Sequence, residues 1–233
     1  MNGTQEQLNN LFVEWQRKQA NEPLDSIERT AHLLSYKDKF APDGVIGSEN
    51  QWDNLPDGAP KVLYILPEPH WEDDKSYQKD YFWFQKAVYA NGVDGDKSVK
   101  GGRILPKLAI TQHFLETDSL EPLTRDYERL KNAVYMNLSK RGGGSSRNAK
   151  DKIRLKNYVE YYKDEIGREI KILNPNIIVC CGSGIKDLVQ NLLADIDVSS
   201  MVIACWHPAA IEGYEKFFNK LKAAYEVQKQ QPE

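Results

Sequence analysis

The chain has 233 residues, a net charge of −3, 40% apolar and 28% charged residues. That length and composition suit one ordinary α/β domain or two small ones and exclude a disordered chain. No apolar run approaches the roughly 18 residues of a membrane span, and the polar start "MNGTQEQLNN" lacks the basic and apolar parts of a secretory leader.

A helix is expected from Thr4, where Thr4 and Gln7 make a capping-box pattern ahead of Leu8, Leu11, Phe12 and Trp15 at helical spacing. Residues 20–60, rich in Pro, Gly, Asp and Asn, read as loop with short helical pieces. Residues 1–60 thus form an extension packed on a core at 61–225, within a single domain. The first strong strand is "KVLYILP" at 61–67. A helix "DYFWFQKAVYANG" follows and stops at Asn91-Gly92, and another, "ILPKLAITQHFLE", has Pro106 in its first turn.

The second strand is "NAVYMNLS" at 132–139. After it, residues 140–156 carry seven Lys/Arg and one Asp, a local bias that matters more for anion binding than the total charge does. A long helix is expected from Asp151 to Leu173. Then come a third strand, "NPNIIVCCGSG", a helix, "IKDLVQNLLA", a fourth strand, "MVIACW", and a closing helix, "AAIEGYEKFFNKLKAAYEVQK". The three cysteines, an odd number set within strands, argue for reduced thiols and a cytoplasmic protein. No CxxC occurs, so no metal-ligand set is expected.

Strands that alternate with helices and read as continuous apolar runs are those of a parallel sheet buried on both faces. The expectation is therefore a three-layer α/β/α sandwich around a four-stranded, mainly parallel sheet. Ligands of such sheets bind outside the carboxyl ends of the strands.

Polar residues collect at those ends. Glu68 follows the first strand between Pro67 and Pro69, with His70 next; Asn137 closes the second strand; Gly182-Ser183-Gly184 follow the third; His207-Pro208 follow the fourth. Each has an ordinary structural reading: a solvated or capping carboxylate, a buried amide satisfied by backbone, a surface histidine. The set in this order favours a site.

In the order "ILPEPHW", "VYMNLSK", "NPNIIVCCGSG", "ACWHPAA", the chain resembles the uracil-DNA glycosylase superfamily over residues 60–225. That family has a G-x-D/N-P motif after the first core strand, a strand ending in a base-reading Asn, a "PxxIVxxG" strand and a final His-Pro-Ser. Here Leu66-Pro67 replace the small residues of the first motif, Glu68 replaces its acid or amide, and Ala209 replaces the final Ser. Some branches hold an iron–sulfur cluster; three strand cysteines cannot supply four ligands, so no cofactor is expected.

The resemblance implies a base-excising DNA glycosylase: monomeric, nucleoid-associated, with DNA as partner and no membrane. Breaking an N-glycosidic bond builds positive charge on the sugar and negative charge on the leaving base. Glu68 would stabilise the sugar and orient water, and His207, as a neutral imidazole, would donate to the base. Asn137 would read its Watson–Crick edge. Tyr81 or Phe82 would stack on the flipped base, and His70 would line the pocket. Lys140, Arg141, Gly142, Gly143 and Arg147 would meet phosphate, together with Pro208, which also restricts His207. Two other readings stay open: a glycosylase for a bulky modified cytosine of foreign or phage DNA, and a non-catalytic nucleic-acid-binding module on the same fold. A generic α/β hydrolase lacks its G-x-S-x-G.

Overall fold

The computed structural model describes residues 3–23, 40–67, 88, 104–121, 126–141 and 149–230. The first helix, α1 (Thr4–Ala20), buries Leu8, Leu11, Phe12 and Trp15 as their spacing requires. Its start is capped differently from the sequence pattern. Gly3, not Thr4, is the N-cap residue, and no local side chain caps the helix. Instead a second short helix, α2 (Glu49–Asp53), supplies the acceptors. Asp53 accepts from the backbone and hydroxyl of Thr4, and Glu49 accepts from the Gln5 amide at 2.7 Å. Two carboxylates thus serve the positive end of α1 from outside it. The capping box itself occurs at α2, where Ser48 Oγ accepts from the Gln51 amide at 3.2 Å and Gln51 Oε1 accepts from the Ser48 amide at 3.0 Å.

The sheet has five strands, not four: β1 (Gly44–Val45), β2 (Val62–Leu66), β3 (Ala133–Asn137), β4 (Ile177–Cys181) and β5 (Met201–Cys205), in the order β1-β3-β2-β4-β5. The four expected strands are all parallel, whereas β1 joins β3 antiparallel, so the sheet is mixed. A two-residue Gly-Val strand carries no periodicity, and the segment around it reads as loop; pairing to β3 alone defines it.

Helices lie on both faces. One core cluster joins Leu63 and Ile65 of β2 to α1, to α4 (Ala149–Tyr161), to α5 (Lys163–Leu173) and to α6 (Ile185–Ala194). The other joins Val62, Tyr64 and Leu66 to α3 (Ile104–Thr117) and α7 (Tyr214–Lys229). Every residue of β2, β3 and β4 is buried, which is why these strands read as unbroken apolar runs. The single helix expected over 151–173 is two. At Tyr162 the backbone leaves helical geometry (φ −107°, ψ 22°), while its hydroxyl donates to Glu22 at 2.7 Å and its ring packs 4.5 Å from that of Tyr158. The helix expected over 80–92 lies outside the described residues apart from Val88, which is buried.

The order of the strands sets a topological switch point. From β2 the chain passes to β3 by way of α3 on one face. It then crosses β2 by α4 and α5 on the other face, to enter β4. The helices that follow β2 and β4 therefore leave on opposite faces. The boundary between these neighbouring strands is therefore the switch point at whose carboxyl edge open α/β sheets bind ligands.

Candidate active site

Four segments meet along that carboxyl edge. Asn137 ends β3 in register with Leu66 of β2, and the ladder continues past both strands: the Leu138 amide donates to Leu66 O and the Ser139 amide to Pro67 O, each at 2.9 Å. On the other side Cys181 is paired with Cys205, and the Gly182 amide donates to Cys205 O at 3.0 Å. The edge thus reads Asn137, Pro67, Gly182, His207. Three inter-strand steps of about 4.8 Å set the strands of Asn137 and His207 about 14 Å apart, and His207 stands two residues beyond the level of Asn137. That is too far for their side chains to touch. Gly182 turns the chain at φ +134°, a conformation that favours glycine.

The Asn137 amide is buried, and its polarity is set from below. Asp43 Oδ2 accepts from the Asn137 backbone at 2.6 Å and faces its Nδ2 at 3.4 Å. A carboxylate accepts only, so the nitrogen end of the amide faces Asp43 and Oδ1 lies at the opposite end. Asp43 is itself fully buried and comes from the N-terminal extension.

Lys140 and Arg141 require correction. Both were expected at a DNA backbone; both are inside the protein, 0% and 3% exposed. Lys140 Nζ lies 2.6 Å from Asp43 Oδ1 and 2.8 Å from Glu169 Oε2, and its charge sits over the rings of Phe12 and Trp15 at 5.3 and 5.2 Å. Arg141 pairs with Glu22 and lies 5.7 Å from the Tyr158 ring centroid. A bond from the Ala41 amide to Lys140 O, 2.8 Å, draws this segment under the extension. The acidic partners lie far away in sequence, so nothing local marks these cations as internal. Burial, then Asp43 alongside, pushes the Glu169 carboxyl well above the usual range, with Lys140 pulling the other way.

His207 is half-buried at the start of the segment after β5. The Ala209 amide donates to its Nδ1 at 3.2 Å. A backbone N–H can only donate, so Nδ1 is unprotonated and the ring is the neutral tautomer with its proton on Nε2. The Ala210 amide returns to His207 O at 2.8 Å, closing a turn. Pro208 is buried within it, so it anchors the turn and does not present a surface to DNA.

Two residues of this region were not identified from sequence. Ile211, four positions after His207, is 86% exposed. Lys107 of α3 is 2% exposed, and its Nζ donates to Ala210 O at 2.8 Å and Glu212 O at 3.2 Å, the carbonyls on either side of Ile211. A lysine inside the apolar stretch "ILPKLAI" was the available signal for the second.

Below the edge, Cys181 and Cys205 are free and buried with their sulfurs 3.6 Å apart; the hydrogen bond between them and burial push the Cys181 thiol well up. Glu68, His70, Tyr81, Phe82, Gly142, Gly143 and Arg147 lie outside the described residues. Among the described residues no group of three or more His, Cys, Asp or Glu is arranged to hold a metal ion. A groove of about 370 Å³ between α5 and α6, lined by Lys163, Arg168, Lys171 and Leu192 among others, holds none of the strand-end residues. No described helix is long and apolar enough to cross a membrane. No model of a known protein family matches the sequence, and no curated protein matches it.

Proposed function

We propose that the chain is a DNA glycosylase that flips a uracil or other modified base out of DNA and hydrolyses its N-glycosidic bond. On this reading the mixed sheet with helices on both faces is a uracil-DNA glycosylase-like core with one added edge strand. The observation that carries the proposal is the His207 ring, oriented just past the carboxyl edge of the sheet by the Ala209 amide, which donates to Nδ1 and leaves Nε2 as the protonated nitrogen. A departing base gains charge on its oxygen, and an N–H donor fixed in direction stabilises that charge without reorganisation.

The other residues fit the same division of labour. Asn137, its amide orientation set by Asp43, offers an acceptor and a donor to a base edge. Glu68, directly after Pro67 in the chain, would provide the anion beside the oxocarbenium-like sugar and orient water. Ile211 is an exposed aliphatic side chain next to the donor histidine, and such side chains enter a base stack to occupy the space of an extruded nucleotide.

The test is a panel of oligonucleotides carrying uracil, hypoxanthine, xanthine or substituted cytosines, read as alkali-labile abasic sites. One base should be released, and His207→Ala should slow its release about 10²–10³-fold, with Glu68→Gln also strongly impaired while both variants keep the wild-type circular dichroism spectrum. Absence of abasic sites from the whole panel, or release undisturbed by both substitutions, would sink the proposal.

A further inference from the structure

We infer that Lys107 is a positioning residue that shapes the segment after β5 so that Ile211 stands ready to enter a DNA duplex. The inference rests on the glycosylase reading and assigns a function to a lysine that lies outside the carboxyl edge.

Burying an ammonium costs free energy unless its hydrogens are well used. At 2% exposure the Lys107 ammonium gives hydrogens to the carbonyls of Ala210 and Glu212 and lies 4.9 Å from the Phe217 ring centroid. Its stem is fixed in α3, all of whose residues from Leu105 to Leu115 are buried. Two carbonyls flanking a single residue converge on one charge, so the chain arches around the ammonium and Ile211 stands at the crown, 86% exposed. The same segment is tied to the active site by the turn from Ala210 back to His207. An apolar side chain on an unconstrained loop would spend ordering entropy on every insertion. One held in place by a buried cation has met that cost on folding. Lys107 therefore acts on duplex DNA through Ile211, and contacts with an unpaired strand do not depend on it.

The test uses a duplex with a tetrahydrofuran abasic residue beside a 2-aminopurine, and the matching single strand. Saturating wild-type protein should raise the 2-aminopurine fluorescence of the duplex as the hole is filled and the neighbour unstacked. Ile211→Gly should abolish that rise. Lys107→Met should weaken duplex binding about tenfold to a hundredfold and remove the fluorescence change, with single-strand binding unchanged. Lys107→Arg should restore part of it. If the Met variant does not fold, Lys107→Gln, which keeps one donor, gives the same comparison. A wild-type fluorescence change and duplex affinity in folded Lys107→Met or Lys107→Gln would overturn the inference, as would a wild-type protein that produces no change. The probe has no base to release, so these failures are separate from failure of the base panel: base release with an indifferent Lys107 defeats this inference alone.

Discussion

Glu169 shows how one buried carboxyl is set by its neighbours. It faces Lys140 together with Asp43, two acids to one base in a space with no exposure. Charge balance favours one ionised carboxylate, and Glu169, pushed well up by burial and by Asp43, is the one that keeps its proton. A raised carboxyl binds more proton folded than unfolded, so its stabilising effect is complete below its ordinary value of 4.5 and is lost as pH rises towards the folded value. Glu169→Gln mimics the protonated acid. Its melting temperature should match wild type at acidic pH and gain on it as pH rises above the ordinary carboxylate range, as measured by differential scanning calorimetry. A difference that is flat with pH would place the proton elsewhere.

Among the elements, α1 depends on α2 for its start. Asp53 is an acceptor for both the backbone and the hydroxyl of Thr4, and Phe12 and Trp15 of α1 in turn cover the Lys140 charge. Asp53→Ala should cost about 1–2 kcal/mol, the range for a lost helix cap, in urea unfolding, with faster hydrogen exchange in the first turn of α1. A Thr4→Ala variant should lose less, because the backbone donor remains. The sequence pattern at Thr4–Gln7 pointed to a local cap; the carboxylates that do the capping lie more than forty residues on and leave no trace within a local window. The strands show the opposite case. Residues 62–66, 133–137, 177–181 and 201–205 were legible because burial on both faces demands continuous apolar runs.

Across the whole molecule, buried ionisable groups join parts that the sequence presents as separate. Asp43 comes from the extension, Lys140 from the segment after β3 and Glu169 from α5; Glu22 and Arg141 form a neighbouring pair. Glu22 and Asp43 thus fasten the described parts of the N-terminal extension to the core, with Asp43 directly beneath Asn137. Lys140→Met should lower stability by about 3–5 kcal/mol in urea unfolding, the cost of stranding a buried charge. A phosphate-contact lysine would behave in the reverse way, with DNA affinity falling and stability untouched. A combined Lys140→Met, Asp43→Asn variant should recover part of the loss, because no lone charge then remains.

Read alone, the sequence determined the α/β class, the four parallel strands and the presence of polar residues at their ends, since each follows from local periodicity and punctuation. Only the tertiary structure decided the fifth strand, the break at Tyr162 and the interior position of Lys140 and Arg141. The same holds for the tautomer of His207 and the grip of Lys107 on the residues flanking Ile211. Each of these depends on a partner distant in the chain or on the direction of a single hydrogen bond. A basic residue after a strand looks the same in a linear sequence whether its partner is a phosphate or a buried carboxylate. Only the fold brings Asp43 and Glu169 to Lys140.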